Sequence, residues 1–433
     1  MNVCVAGLWH LGSVTAACLA AAGHRVTAYD PDDAVVRGLQ QGQPPLFEPG
    51  LPELVRAGLD AGTLSFHADA HAALQEAEIV WVTYDTPVDD NDCADDASVV
   101  QCVQEFFPHL RADALVMISS QLPVGTTRRL AAACAAARPE ASITFGCSPE
   151  NLRLGKAIEV FTKPDRIVVG LMDRGDRTRV TALLQPLTDQ IIWMSVESAE
   201  MTKHALNAFL ATSVTFANEI ARVCEAVGAD AREVEQGLKS EMRIGPRAYL
   251  KPGAAFAGGT LARDVVFLQQ LSAQHHLPAH LIHAVRASND AHKLWARACL
   301  EAAVGTLRGA LIAVWGLTYK PGTSTLRRST AVELCAWLTA QGARVQAHDP
   351  AVTELPPELR GGVQLCASPL EAARGAQALV VATEWPDYRQ IDTAAVHAAL
   401  AAPNVIDANG FLSATLGADA RMVYRTVGTV RRV

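Results

Sequence analysis

The alternation of apolar and polar positions predicts a strand, a helix and a second strand along the first 30 residues. An apolar run at Val3–Ala6 is followed by a turn bracketed by Gly7 and Gly12. Val14–Ala22 is rich in Ala, Cys and Leu and predicts a buried helix, and Val26–Tyr29 predicts the next strand. This order is typical of a parallel sheet that is covered by helices.

The same plan returns near the other end of the chain, where residues 341–350 (QGARVQAHDP) echo residues 22–31 (AGHRVTAYDP). A repeat of this kind predicts a second Rossmann-like domain. Between the two blocks, apolar residues recur every three or four positions from about 198 to 227, which predicts one long helix. Apolar runs at 79–82 and 115–118 predict further strands, and we expect the stretch 164–170 to end the first sheet.

The turn after the first strand predicts a dinucleotide site. Gly7 and Gly12 occupy the outer positions of a G-x-G-x-x-G fingerprint, whereas Trp9 occupies the middle one. Asp30 follows at about the 20-residue spacing of a ribose-binding acid, and the YDPDD stretch around it contains no arginine. NAD is therefore favoured over NADP; the competing interpretation is a turn that binds no nucleotide. The predicted contacts here are Gly7, Trp9, His10, Leu11, Gly12 and Asp30.

Composition excludes several classes of protein. The chain has 433 residues, 50% of them hydrophobic, which suffices for two or three domains. A net charge of −8 without a long basic run argues against nucleic acid as a partner. No apolar run reaches the roughly 20 residues that span a bilayer, and the N-terminus does not resemble a secretory signal. The ten cysteines include no C-x-x-C pair, so we predict reduced thiols in a cytoplasmic protein and no metal site.

A Gly-rich stretch from Pro252 to Asp264 (PGAAFAGGTLARD) carries the candidate chemistry. Thr260 and Asp264 stand four residues apart, so they share one face if a helix starts at the glycines. Composition alone favours a turn that precedes a helix, with Thr260 as the N-cap. However, the stretch resembles the active-site loop of the UDP-glucose/GDP-mannose dehydrogenase family, G-x-G-F-G-G-x-C-x-x-K-D. The matching positions are Phe256, Gly258, Gly259 and Asp264.

The resemblance also identifies what this chain lacks. The family's cysteine, which forms a covalent intermediate, falls on Thr260, and the lysine before the aspartate falls on Arg263. A threonine hydroxyl is a poor nucleophile without an adjacent base. The resemblance therefore implies an active-site scaffold in which the usual nucleophile is missing.

Other blocks of the family follow in the same order along nearly the whole chain. Residues 119–126 (SSQLPVGT) resemble K-S-T-V-P-V-G-T, and residues 147–155 (CSPENLRLG) resemble S-P-E-F-L-R-E-G with Leu154 at the second glutamate. The segment AEMTKHALN resembles the family's central helix, whose lysine and asparagine point into the active site. The resemblance implies catalytic or substrate-binding roles for Gln121, Glu150, Leu152, Arg153, Lys203, Asn207, Thr260 and Asp264.

Further contacts are implied by two motifs in the second half. Met242–Gly245 resembles an R-I-G motif whose arginine contacts the sugar nucleotide, and an arginine fork suits a diphosphate. Residues 316–329 (GLTYKPGTSTLRRS) resemble the segment that holds the UDP end of the substrate, and Ala408 replaces a substrate-contacting arginine. The implied substrate contacts are Arg243, Tyr249, Phe256, Gly258 and Lys320, and the implied cofactor contacts are Thr86 and Arg327.

The fold that the resemblance implies is α/β, with two Rossmann-like doubly wound domains joined by a long central helix. We expect an NAD-binding domain at 1–196, a central helical and dimerisation domain with the active-site loop at 197–300, and a UDP-sugar-binding domain at 301–433. The implied partners are a nucleotide sugar, with UDP favoured, and a second copy of the chain bound through the central helix.

The family transfers two hydrides in succession from C6 of a nucleotide sugar to NAD, with a cysteine thioester between the two steps. Lys203, Asn207 and Asp264 are retained while Thr260 replaces the cysteine. We therefore expect a two-electron oxidation, or oxidation of an aldehyde hydrate without a covalent intermediate. Three alternatives remain open: acid formation with Cys147 as the thiol, oxidation at another sugar carbon, and a non-catalytic protein that binds a nucleotide sugar.

Overall fold

A computed structural model of the chain describes residues 1–89, 94–150, 152–257 and 259–429. It divides into two compact units, Met1–Leu206 and Asn207–Val433. Each unit is built around one sheet. None of the described helices is both long and apolar enough to cross a membrane.

The first unit alternates strands and helices, as the sequence predicts. Its strands are β1 (Asn2–Ala6), β2 (Arg25–Tyr29), β3 (Leu64–His67), β4 (Ile79–Val82), β5 (Leu115–Ile118), β6 (Thr144–Cys147), β7 (Ile167–Leu171) and β8 (Ile191–Met194). Its helices are α1 (His10–Ala21), α2 (Asp33–Gln40), α3 (Leu51–Asp60), α4 (Ala70–Leu74), α5 (Asp96–Glu105), α6 (Thr126–Ala137), α7 (Ala157–Thr162), α8 (Arg177–Leu184) and the start of α9 (Val196–Val227).

The eight strands lie in the order β3-β2-β1-β4-β5-β6-β7-β8, and neighbours are parallel except β6 and β7. All residues of β4 and β5 are buried, as expected of parallel strands with both faces covered. The winding direction reverses between β1 and β4. The carboxyl ends of these strands therefore border the crevice in which such sheets bind ligands.

The second unit combines helices with a six-stranded parallel sheet in the order β11-β10-β9-β12-β13-β14. These strands are β9 (Leu311–Trp315), β10 (Arg344–His348), β11 (Val363–Leu365), β12 (Ala378–Val381), β13 (Asn404–Ile406) and β14 (Val423–Arg425). Its helices are the rest of α9, α10 (Ala231–Ser240), α11 (Thr260–Gln274), α12 (His280–Val304), α13 (Thr330–Ala340), α14 (Pro369–Ala373) and α15 (Thr393–Ala399). This confirms the predicted α/β class with a second Rossmann-like sheet.

The repeat in the sequence is also a repeat of one hydrogen-bonding device. After the first strand of each sheet, a leucine N–H donates to a carboxylate at the end of the second strand. Leu8 donates to Asp30 Oδ2 and Leu317 donates to Asp349 Oδ2, both at 2.7 Å. The device ties the turn that follows the first strand to the carboxyl edge of the sheet.

The two carboxylates differ in what else they bind. Asp349 is buried, and its Oδ2 also accepts from the backbone N–H of Thr318 at 2.9 Å and from Trp385 Nε1 at 3.0 Å. Asp30 is only partly buried, and its second oxygen accepts from the N–H of Asp32 at 3.0 Å. The first copy therefore remains open to solvent, whereas the second is enclosed.

The predicted end of the first sheet and the predicted N-cap of α11 were wrong. The first sheet does not end near 170, because β8 pairs in parallel with β7 and forms its partly exposed edge. Thr260 is not the N-cap of α11; Gly259 takes that position with a φ of +104°, and Thr260 begins the helix. A left-handed φ favours glycine over threonine, which explains the shift by one residue.

Candidate active site

The turn between β1 and α1 has the geometry of a phosphate-binding turn. Gly7 has a φ of +95°, and a Cβ at Gly12 would lie 1.7 Å from the Gly7 carbonyl oxygen. Both positions therefore require glycine. The first N–H groups of a helix have no partner within it and favour an anion, so the start of α1 suits a pyrophosphate.

Trp9 replaces the middle glycine of the fingerprint without backbone strain. Its φ is −69°, which any residue can adopt, and its side chain is 46% exposed. The indole stands at the N-cap of α1, where it carries no acceptor for the N–H groups of the helix. Because Gly7 and Gly12 still allow the tight turn that leads from β1 into the start of α1, the residues of this turn fit a dinucleotide.

The carboxyl ends of β4 and β5 are joined at the predicted site. The Thr86 hydroxyl donates to the backbone oxygen of Gln121 at 2.8 Å, so these two predicted residues lie together. Glu200 of α9 is buried and accepts from the N–H groups of Gly125 at 2.6 Å and Thr127 at 2.9 Å. The carboxylate thus occupies the N-terminus of α6 and fixes the turn that carries Gln121.

Lys203 lies against the stretch that follows β6. Its ammonium donates to the backbone oxygen of Glu150 at 2.6 Å and to Oε1 of the same residue at 3.3 Å. Oε2 of Glu150 accepts from the N–H of Leu152 at 2.6 Å, whereas Arg153 is exposed. The first unit therefore brings Lys203, Glu150 and Leu152 together, and the buried ammonium has a carboxylate partner.

Cys147 does not have the surroundings of a reactive thiol. It is buried in β6, packed with Val168 and Ala199. Burial, followed by the negative charge of Glu200, raises its pKa well above the ordinary value. Since the thiolate is the nucleophilic form, this position does not supply a substitute for the missing cysteine.

In the second unit, Asn207 and Asp264 form a buried pair. Asn207 Nδ2 on α9 donates to Asp264 Oδ2 on α11 at 2.5 Å, and Asp264 is 0% exposed. Thr260 lies one helical turn before Asp264 but is exposed. Thr260 and Asp264 therefore share one face of α11, with Thr260 at its exposed start and Asp264 in its buried part. Gly258, a predicted substrate contact, lies outside the described residues.

Three asparagines and a histidine hold the loop before α11 by its backbone. Oδ1 accepts from an N–H in three pairs: Asn218 with Gly253 at 2.9 Å, Asn409 with Ala254 at 2.8 Å, and Asn289 with Phe256 at 2.9 Å. Asn289 Nδ2 also donates to Phe256 O at 2.8 Å, and His292 Nε2 lies 2.8 Å from Gly253 O. None of the four was predicted from the sequence, because residues that bind backbone groups follow no motif.

The other predicted substrate contacts lie at the surface of the second unit. Arg243 is exposed and donates through Nε to Glu241 Oε1 at 2.9 Å, and Tyr249 is 58% exposed. Lys320 is half-buried in the segment between β9 and α13, where Arg327, a predicted cofactor contact, is exposed. Phe256 instead packs against the apolar cluster of α9, α11 and α12.

A cavity of about 80 Å³ lies at the carboxyl edge of the second sheet. Ala408, which takes the place of the family's arginine, lines it beside Thr330 at the start of α13. Lys293 and Glu333 form its charged side, with 3.1 Å between Nζ and Oε2. Within the described parts of the chain, no cluster of three or more His, Cys, Asp or Glu side chains could hold a metal ion.

Sequence profiles of the UDP-glucose/GDP-mannose dehydrogenase family match three consecutive parts of the chain. The NAD binding domain matches residues 1–188, the central domain matches residues 197–291, and the UDP binding domain matches residues 313–414. The matches follow the chain in the order in which the motifs appear.

Known proteins are similar over nearly the full length. UDP-glucose 6-dehydrogenase of Rhizobium meliloti (strain 1021) is 35% identical over 414 residues, which cover 94% of each chain. A UDP-glucose dehydrogenase of known structure from Pyrobaculum islandicum is 31% identical, with a TM-score of 0.85 over 90% of this chain and 92% of that one. A UDP-D-ManNAc dehydrogenase from Pyrococcus horikoshii is 22% identical and shares the fold, with a TM-score of 0.86 over 99% of both chains.

Proposed function

We propose that this chain, which belongs to the UDP-glucose/GDP-mannose dehydrogenase family, catalyses a two-electron oxidation of UDP-glucose. Members of the family are NAD-dependent oxidoreductases that act on CH–OH groups of nucleotide sugars. When bound, NAD accepts a hydride from the carbinol carbon. One observation carries the proposal: the Asn207–Asp264 pair is intact, while Thr260 occupies the position of the family's cysteine.

The proton of the substrate hydroxyl goes to the buried Asp264 through one water, as the hydride leaves the same carbon. Asn207 holds the carboxylate by its amide, so the acceptor oxygen keeps one orientation. Proton transfer to a positioned base contributes roughly 10²–10⁴-fold to rate. We assign to the Lys203 ammonium the stabilisation of negative charge that develops on the substrate oxygen.

In this proposal the oxidation stops at the carbonyl because no side chain captures it covalently. A second hydride transfer needs a tetrahedral adduct, which a thiolate forms readily near neutral pH and an aliphatic hydroxyl does not. Thr260 carries such a hydroxyl, and burial keeps the Cys147 thiol protonated. The proposed product is therefore a nucleotide sugar that has lost two hydrogens.

We assign the cofactor to the first sheet and the nucleotide end of the substrate to the second unit. The turn from Gly7 to Gly12, with Asp30 and Thr86, is the proposed dinucleotide site. Arg243, Tyr249 and Lys320 are the proposed contacts of the UDP group. The division at 1–196, 197–300 and 301–433 remains part of this proposal.

The proposed function is tested by incubating the purified protein with NAD and a series of UDP-linked sugars, beginning with UDP-glucose. We expect one NADH per UDP-glucose consumed and a product two hydrogens lighter by mass spectrometry. Reduction of that product with borodeuteride then places the label at C6 for an aldehyde or at a ring carbon for a ketone. Two NADH per sugar with a uronic acid product would overturn the two-electron assignment.

The second copy that we propose as a partner binds along α9. Phe209, Phe216 and Val223 are exposed and spaced by seven residues, and Val227 is 71% exposed one turn later. An apolar seam spaced by sevens is typical of a helix that packs against another helix. Sedimentation should report a dimer for the native chain and a monomer for F216E. M172E, which also places a charge on an exposed apolar position, should stay dimeric.

A further inference from the structure

Glu48 is a buried carboxylate that no part of the mechanism uses. Its side chain is 1% exposed, and its two oxygens accept three hydrogen bonds. His10 Nε2 lies 2.9 Å from Oε2, the N–H of Gly155 donates to Oε2 at 2.8 Å, and the N–H of Ala157 donates to Oε1 at 2.8 Å. A carboxylate can only accept, so His10 donates through Nε2 and its tautomer is fixed.

The three donors come from two segments that are far apart in the sequence. His10 is the first residue of α1, at the turn that fits a dinucleotide. Gly155 and Ala157 immediately follow the stretch in which Glu150 receives the Lys203 ammonium. Glu48 therefore joins the cofactor turn to the substrate stretch within the first unit through one buried carboxylate.

We propose that His10 and Glu48 are positioning residues that couple the binding of the two ligands. This inference rests on the proposed function, since it needs both a dinucleotide and a nucleotide sugar. A dinucleotide at the start of α1 fixes the His10 ring, which fixes Glu48, which in turn holds the backbone at 155–157. The substrate stretch is then already ordered, so the nucleotide sugar binds more tightly, and by reciprocity the sugar tightens the dinucleotide.

A purely structural role predicts a different pattern. If Glu48 only compensated for buried polar groups, loss of the His10 contact would lower stability and weaken both ligands alike. The ratio of the NADH dissociation constants measured without and with UDP-glucose would then be the same in the variant as in the native protein. Coupling predicts instead that this ratio changes, whatever happens to each affinity alone.

The test measures the dissociation constant of NADH by calorimetry, with and without saturating UDP-glucose. NADH cannot accept a hydride, so the sugar stays unreacted. In the native protein, we expect UDP-glucose to tighten NADH by at least about fivefold. In H10F, which keeps a ring without a donor, the ratio should fall to near one. In H10Q, whose amide can donate to Glu48, most of the coupling should return.

Each other outcome is informative. Equal ratios in H10F and the native protein, or independent binding of the two ligands to the native protein, would overturn the coupling and leave the proposed function standing. Failure of both ligands to bind the native protein would refute the proposed function and the coupling together. If thermal unfolding shows that H10F does not fold, H10L serves as the second variant with the same expected ratio.

Discussion

Asn207 and Asp264 lie 57 residues apart in the chain, and a 2.5 Å hydrogen bond from amide to carboxylate joins them across two helices. Asp264 is wholly buried, so this amide is a fixed polar neighbour rather than an exchangeable solvent contact. A base that is held in this way keeps its lone pair in one direction. The pair is therefore the most direct place to test the proposed proton transfer.

Replacing Asp264 by Asn should remove the proton acceptor while keeping side-chain size. We expect kcat to fall by about 10²–10⁴-fold, the usual contribution of a general base. The exchanged variant N207D/D264N can form the same hydrogen bond with the roles reversed. It should recover stability in urea unfolding but not activity; full activity in D264N would contradict the assignment of the base.

Replacing Thr260 by Cys should restore a nucleophile at the start of α11. A thiol at a helix N-terminus has a lowered pKa, so a useful fraction is thiolate near neutral pH. We expect NADH per UDP-glucose to rise from one towards two, with a transient covalent adduct in the intact-protein mass. T260S, which keeps a hydroxyl, is the matched control and should remain at one.

Replacing Asn289 by Ala should loosen the loop before α11. Both the N–H and the C=O of Phe256 lose their partner, and an unpaired buried group costs about 1–3 kcal/mol. Urea unfolding should show a loss of this size, and kcat should fall with it. Gln101, whose amide donates to Glu105 on the exposed surface of α5 at 3.0 Å, provides a control: Q101A should change stability little. Equal losses in the two variants would contradict the role given to Asn289.

The buried His292 predicts a loss of stability at mildly acid pH. Burial is the main cause that lowers its pKa below the usual value near 6.5. Between the folded and unfolded pKa values, the unfolded chain binds more protons, so the free energy of unfolding falls as pH drops below about 6.5. H292Q can still donate to Gly253 O but does not titrate.

The measurement is the free energy of unfolding of both proteins between pH 7.5 and 5, and the H292Q curve should be the flatter one. It should not be flat, because burial also lowers the pKa values of His24 and His348. Identical pH dependence of the two proteins would show that His292 does not contribute.

Replacing Gly12 by Ala should disrupt the cofactor turn. The new Cβ would lie 1.7 Å from the Gly7 carbonyl oxygen, and overpacking of this kind costs about 1–3 kcal/mol. NADH binding by fluorescence should be lost or strongly weakened. Gly237, inside α10, is the matched control, since a Cβ there meets nothing within 4 Å among the described residues. G237A should stabilise by roughly 0.5–1 kcal/mol and leave NADH binding intact.

The sequence predicted elements best where a continuous apolar run is bounded by polar residues. The strands at 79–82 and 115–118 were predicted to the residue, because their side chains are buried on both faces. The edge strand at 191–194 was missed because it is partly exposed, so no buried apolar run bounded by polar residues marks it. Helix α1 begins at His10, four residues before the predicted Val14. The earlier start was missed because the N-cap, Trp9, is not one of the usual capping residues.

The candidate site was predictable only where side chains belong to a motif. The spacing from Lys203 to Asn207 and from Thr260 to Asp264 follows from helix periodicity. Residues that hold the site in place, such as Asn289 and Glu48, bind backbone groups or lie in distant segments. Their partners depend on how the chain closes upon itself, and no local pattern encodes that.

The enclosed acid of the second sheet has a consequence for how many cofactors one chain can carry. Asp349 is buried and its Oδ2 already accepts from Trp385 and Thr318, so a ribose cannot reach it. The second sheet therefore keeps the Rossmann-like architecture, but side chains of the same unit enclose its carboxylate. Within the described part of the chain, the first sheet alone keeps such a carboxylate open, so we expect one dinucleotide at a time and a second oxidation only after release of the first NADH.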